Sequence, residues 1–252
     1  LPNCNECAEK RWFTSIHDIK DAKVWLCGDL IELSQHTIFN TPSCSFGIEM
    51  GHDLLAPVPP SSHLAMMGAE IILNLSAEST LVGKDDFLRK QIAAQSARCI
   101  GGYVYAGAGF GESSTDLVFN AQALIYENGN ILAENLPFCT EAQFIFTEID
   151  VERLRIDRQR NTNFTHDKHG QFRHVQVAPL DEAIGNEAMR REARDNGPLH
   201  RHFTQTPFLP KKKESDEYCE DVLNLQVHGL LRRWQHTHAE SLVIGISGGL
   251  DS

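Results

Sequence analysis

The chain has 252 residues, 41% of them hydrophobic and 23% charged, an ordinary composition for a chain long enough to bury a full core. Its formal net charge of −11 argues against a nucleic-acid or anionic-membrane surface. No apolar run is long enough to span a bilayer and no basic-then-apolar leader is visible, so a cytoplasmic protein is expected, and Leu1 in place of methionine suggests a processed or truncated start.

Short apolar runs at Val24 to Cys27 and Phe46 to Met50 read as strands. The turn-rich Pro57-Val58-Pro59-Pro60 leads into a short helix from Ser61 to Gly68, and Glu70 to Leu75 reads as a buried strand. Lys84 to Ile100 has helical periodicity, with Phe87, Ile92, Ala93 and Ala97 along one stripe. Gly101-Gly102 ends it, and Tyr103 to Ala106 begins another strand. Ala121 to Tyr126 and Ile131 to Ala133 flank Asn128-Gly129, a dipeptide suited to a type I′ hairpin turn. Gln143 to Ile149 is read as a further strand. Strands, helices and a hairpin together predict a mixed α/β sheet covered by helices, with a sandwich as its doubled form.

Beyond Val177 the character changes. Pro179 to Glu214 is polar, with Pro198, Pro207, Pro210 and Lys211-Lys212-Lys213, and reads as a connector. Asp216 to His238 is an amphipathic helix whose apolar face carries Val222, Leu225, Val227, Leu230 and Leu231. The run Leu242 to Ile246 then reads as a buried strand leading into Ser247-Gly248-Gly249-Leu250-Asp251-Ser252. Glycines there let backbone N–H groups approach phosphate oxygens, serine hydroxyls add donors, and Asp251 is placed to help hold magnesium. The loop lacks the lysine of G-x-x-x-x-G-K-[ST] and resembles that of the ATP pyrophosphatases, a group including NAD, GMP and asparagine synthetases. The loop alone does not choose among them.

Seven cysteines, an odd number without repeated spacing, fit reduced thiols better than a disulfide framework. Cys4-x-x-Cys7 has no second pair to complete a zinc site. The histidine pairs His166/His169, His200/His202 and His236/His238 have no carboxylate or cysteine at ligand spacing and read as solvated side chains. No resident metal or prosthetic group is expected.

Several segments converge on one family. Leu1-Pro2-Asn3 through Glu9-Lys10-Arg11-Trp12-Phe13 resembles the Leu-Pro-Asn-Tyr-x-Glu-Phe-Tyr-Glu-x-Arg-x-Phe run in the amidase domain of glutamine-dependent NAD synthetases. Asp53 through Ser61 is similar to the segment after that domain's nucleophile. Gln95 to Cys99, Tyr103 to Tyr105 and Gly111 to Leu117 make the most family-specific stretch. Pro207 to Pro210 and Gln226 to Arg232 match the junction, and Ile244 to Ser252 the synthetase start. The resemblance implies a nitrilase-like α-β-β-α sandwich over residues 1–178, a linker over 179–214, and the first helix, strand and loop of a second α/β domain over 215–252. It further implies a ligase that takes ammonia from glutamine and, with ATP and Mg2+, amidates deamido-NAD to NAD, in a homo-oligomer. Ser247, Gly248, Gly249, Asp251 and Ser252 are its expected ATP-binding residues, and Lys84 an expected glutamine contact.

The amidase chemistry is expected to fail. Such an enzyme needs a thiol nucleophile, a carboxylate base and a lysine for the developing oxyanion. The family places a cysteine before Glu-Asp-Leu, and here the residues are Gly51-His52-Asp53-Leu54. The family's lysine and base lie upstream of its Leu-Pro-Asn run, so all three positions are empty and the chain reads as a truncated or degenerate copy. Cys4, Cys7 and Glu78 stand where the family has tyrosine, phenylalanine and often serine. Cys44 is the candidate displaced nucleophile, Cys99 reads as an inert buried thiol, and Glu112 and Asp116 as loop residues near the site. A non-catalytic oligomerisation domain and a stand-alone carbon–nitrogen hydrolase are the alternatives; the empty nucleophile position counts against the second.

Overall fold

A computed structural model describes residues 14, 19, 23–34, 36–112, 117–164, 172–177, 199–203, 205, 206, 209 and 215–249. The chain divides into two compact units, Leu1–His202 and Phe203–Ser252.

The first unit is built on a mixed seven-stranded sheet. After a small antiparallel pair, β1 (Lys23–Leu26) and β2 (Asp29–Glu32), come β3 (Thr37–Asn40), β4 (Ser45–Met50), β5 (Ile71–Ser76), β6 (Gly102–Gly107), β7 (Ala123–Glu127), β8 (Asn130–Glu134) and β9 (Arg173–Gln176). Their spatial order is β8-β7-β6-β5-β4-β3-β9. The parallel trio β4, β5 and β6 is joined by helical crossovers: α1 (Pro60–Met66) between β4 and β5, α2 (Lys84–Cys99) between β5 and β6. A third helix, α3 (Val151–Arg160), follows the β7–β8 hairpin.

Alternation along the central strands decides which face is covered. Gly47, Glu49, Ile72, Asn74, Tyr103 and Tyr105 are buried, while Ile48, Met50 and Leu75 between them are exposed. The helices sit on the buried face, where Leu64 of α1 and Leu88 and Ile92 of α2 join Ile72, Tyr103 and Leu124 in the core. Gly47 is where α1 comes close, since a β-carbon there would lie 2.9 Å from Leu64 Cδ1. The class is mixed α/β, as expected. The exposed apolar face is the side on which a sandwich sets its second sheet.

Most predicted elements appear within a residue or two. The hairpin turns through Asn128 and Gly129 at φ 46° and 85°, the left-handed pair that a type I′ turn requires. Gln143 to Ile149, read as a strand, pairs with no strand among the described residues. Side chains replace the ladder: Gln143 exchanges two hydrogen bonds with the backbone of Leu136 (3.3 and 2.8 Å), and Glu148 accepts from the backbone N–H groups of His200 and Arg201. Helix α3 carries little apolar periodicity to reveal it, but Asp150 caps it by accepting from the Arg153 N–H at 3.0 Å. Its buried Arg158 donates to the carbonyls of Ala69, Cys99 and Ile100, tying it to the ends of α1 and α2.

The second unit contains α4 (Ser215–Thr237), matching the predicted amphipathic helix. Leu242 to Ile246 forms no strand there: Val243, Ile244 and Ile246 are exposed, and the described residues of this unit offer no neighbouring strand to pair with. A strand is a pairing, and apolar character alone does not make one.

Candidate functional site at the end of the fourth strand

β4 leaves the sheet at Met50 and turns at once into a short 3-10 segment, Gly51–Leu55. Gly51 opens that turn with φ 47°, left-handed backbone that costs a side-chain-bearing residue energy. A buried polar ladder holds it there. Asn74 on β5 accepts from the Gly51 N–H at 3.0 Å and donates to the Gly51 carbonyl at 3.2 Å. The Asn74 amide also donates to the Tyr103 hydroxyl at 2.8 Å, which in turn donates to Glu49 at 2.6 Å. The second Glu49 oxygen accepts the Ser61 N–H at the start of α1, at 2.8 Å. Burial, and then the charge of Glu49, pushes the Tyr103 phenol well above its ordinary value. Three adjacent strands and a helix start thus fix one turn.

Above the turn lies a second cluster. Glu78 follows the end of β5, and its Oε2 sits 2.8 Å from His52 Nε2 and 3.3 Å from Lys84 Nζ. Lys84 also donates to the Ser79 carbonyl at 3.0 Å. Gly83, at φ 82°, precedes Lys84 and opens α2. Glu78 and Lys84 line a small pocket with Asp85, Tyr105, Asn120 and Gln122. Its volume of about 20 Å³ admits a water and little more. Burial pushes the Tyr105 phenol up to about 12 and raises Asp53 beside the turn. Asp85 is engaged by Gln122 and by Arg89, the latter at 2.9 Å.

The structure brings Gly51, His52, Glu78 and Lys84 together. Sequence reasoning picked out each of the four but not their contact, and it missed the ladder of Glu49, Asn74 and Tyr103. Polar residues at inward positions of otherwise apolar strands were the available signal. Cys44 lies at the opposite end of β4 from Gly51, in the β3–β4 turn, where its N–H donates to the Thr41 hydroxyl. Six strand residues separate the two positions, about 20 Å of extended chain, so Cys44 does not serve this turn. Cys99 is buried at the end of α2, its sulfur accepting from Gln95 at 3.3 Å, and burial pushes its thiol up to about 12. Glu112 is exposed in the 3-10 turn Phe110–Glu112, and Asp116 lies outside the described residues.

At the far end of the chain, Ser247, Gly248 and Gly249 are exposed, and Gly248 bends at φ 83°. Asp251 and Ser252 lie outside the described residues, as do Cys4, Cys7, His166 and His169. Among the described residues no group of three or more His, Cys, Asp or Glu side chains could hold a metal ion, and no helix is long and apolar enough to cross a membrane.

A mixed α/β sheet with a tightly held turn at the carboxyl end of a parallel strand, flanked by polar side chains, has the layout of a strand-end binding or catalytic site. Comparison with known proteins narrows this. No family model matches the chain. Glutamine-dependent NAD(+) synthetase from Mycobacterium bovis is 35% identical over 217 residues, covering 84% of this chain and 30% of that protein. The Mycobacterium leprae protein of the same name is 35% identical over 211 residues, and that of Arabidopsis thaliana 26% over 166. By sequence the chain is similar to glutamine-dependent NAD(+) synthetases over most of its own length, and it spans 30% of the length of the first of these relatives. Solved structures of such synthetases from Cytophaga hutchinsonii and, bound to ADP, from Acinetobacter baumannii overlay with TM-scores of 0.43 and 0.44, at 22% and 20% identity. They cover 51% and 56% of this chain, and the overlays take in 20% and 23% of theirs.

Proposed function

We propose that the chain carries the amidase portion of a glutamine-dependent NAD(+) synthetase in which glutamine hydrolysis has been lost, joined to the opening helix and pyrophosphate loop of the synthetase portion. One observation supports the loss: Gly51 occupies the left-handed turn leaving β4, the position that the resemblance assigns to the amidase thiol. Amide hydrolysis there requires a thiolate to attack the glutamine side-chain carbonyl, an oxyanion to be stabilised, and ammonia to leave before water releases glutamate. Gly51 supplies no atom for the first bond. Cys44 is too far along the strand, and the Cys99 thiol is buried and stays protonated near neutral pH.

Lys84 is the residue of the pocket assigned to glutamine by resemblance. On the synthetase side, Ser247, Gly248 and Gly249 would approach the phosphates of ATP, with Asp251 and Ser252 adding a magnesium contact and a donor. The left-handed bend at Gly248 fits such a cradle. ATP with Mg2+ would activate deamido-NAD for amidation. Self-association through the amidase portion, in a cytoplasmic setting, completes the proposal. Purified protein incubated with L-glutamine is expected to release no glutamate above a boiled control. Steady release that scales with protein and disappears on thiol alkylation overturns the reading.

A second reading, a non-catalytic assembly surface, is favoured by the apolar side of the sheet, where Ile48, Met50 and Leu75 are 40%, 38% and 54% exposed. Light scattering tests it, and a monomer across the accessible concentration range counts against it.

A further inference from the structure

The pocket lined by Glu78 and Lys84 already contains a carboxylate, and it belongs to the chain. His52 from the turn after β4 and Lys84 from the start of α2 reach the same oxygen of Glu78, at 2.8 and 3.3 Å. The three side chains are only 15%, 18% and 9% exposed, so the contact is largely out of water. Glu78 and Lys84 share a pocket lining with the amides of Asn120 and Gln122, the phenol of Tyr105 and the carboxylate of Asp85. The Lys84 ammonium, with neutral hydrogen-bonding groups around it and the Asp85 carboxylate engaged by Arg89, forms a receptor for a carboxylate. A carboxylate tethered to the pocket wall binds such a receptor at high effective concentration, which an outside competitor has to overcome.

We propose that Glu78 is a tethered occupant: it takes the place on Lys84 that a small carboxylate ligand would take, and so keeps the pocket shut to such ligands. The small remaining volume follows from the same arrangement. Removing the Glu78 carboxylate would open the space and uncover the Lys84 ammonium. The inference deepens the reading of this pocket as a former amide-substrate site, yet it concerns binding and not hydrolysis. Glutamate release by the parent protein would sink that reading and leave this one standing.

The test uses the full chain with acetate and L-glutamine as probes, followed by two-dimensional NMR and calorimetry. Glu78→Ala is expected to bind acetate at least about tenfold more tightly than the parent. Adding Lys84→Ala to that variant is expected to erase the gain. A folded Glu78→Ala that gains no affinity overturns the proposal, and so does a gain that survives loss of Lys84. If Glu78→Ala fails to fold, Glu78→Gln keeps the side-chain volume without the charge; a smaller gain is expected from it, and no gain overturns the proposal. L-glutamine binding by Glu78→Ala, together with that of acetate, would show that the opened pocket takes a whole amino acid; acetate binding alone would confine the receptor to the carboxylate.

Discussion

Helices α2 and α4 are both long, and they meet opposite fates. α2 has the weaker apolar periodicity, yet it sinks Leu88, Ile92, Gln95, Ser96 and Cys99 into the first unit. α4 has the cleaner stripe, yet Leu225, Val227 and Leu230 are 75%, 50% and 51% exposed. Periodicity says which face of a helix is apolar. Burial needs something for that face to meet, and for α2 this is the sheet between β6 and β8 together with α1. The polar residues of α2 belong to the same contrast, because Gln95 donates to the hydroxyls of Ser61 and Ser62 on α1, both at 2.9 Å.

The comparison breaks most visibly at Ile92, which is fully buried on α2. Ile92→Ala removes three carbons from a packed core and is expected to cost about 2–5 kcal/mol. A urea melt of the first unit checks it, and an unchanged midpoint would mean that α2 is not the structural helix described above. Next comes the turn at Gly51. Asn74→Ala leaves the buried Gly51 N–H and carbonyl without their side-chain partner, and a loss of about 1–3 kcal/mol is expected. Amide exchange at His52 and Asp53 should quicken with it, whereas exchange in α4 should not change.

A smaller effect is expected at Glu148. Hydrogen bonds from the backbone and ring of His200, with one from the Arg201 N–H, hold its carboxyl at about 2, below the ordinary 4.5. A lowered acid contributes stability that is complete above about 4.5 and is lost as pH falls towards about 2. The His200 and Arg201 amide signals should therefore shift in that acid range. A Glu148 carboxyl that titrates at its ordinary value would show that this contact does not persist in solution. The neighbouring pair of Arg201 and Glu127, in contact at 2.6 Å and nearly buried, should keep the segment in place after Glu148 has gained its proton.

The same contrast explains what could be read from the chain beforehand. β4, β5, β6, the hairpin and both long helices were legible because each writes its own period or turn chemistry into consecutive residues. β3 and β9 were not: Thr37–Asn40 and Arg173–Gln176 are four residues each, and their parallel pairing joins positions far apart in the chain. Helix α3 was hidden because Leu154 and Arg158 do most of its anchoring, and a buried arginine looks like surface in a sequence. At the site, Gly51 was visible as a missing thiol. The contact of Glu78 with His52 and Lys84 was not, because residues 52, 78 and 84 meet only after two parallel strands have been laid side by side.

The mildest substitution tests the other half of the comparison. Leu225 is the most exposed of the α4 apolar residues, so replacing it with alanine removes area that already faces water. Alanine is also at least as good a helix former. Leu225→Ala should therefore change stability by no more than about 0.5 kcal/mol, in contrast to the same truncation at Ile92. The helical signal in far-ultraviolet circular dichroism and the melting midpoint check this together. A loss of 2 kcal/mol or more, about the cost of a core truncation, would show that the stripe is covered in solution, and that α4, like α2, is held by what it packs against.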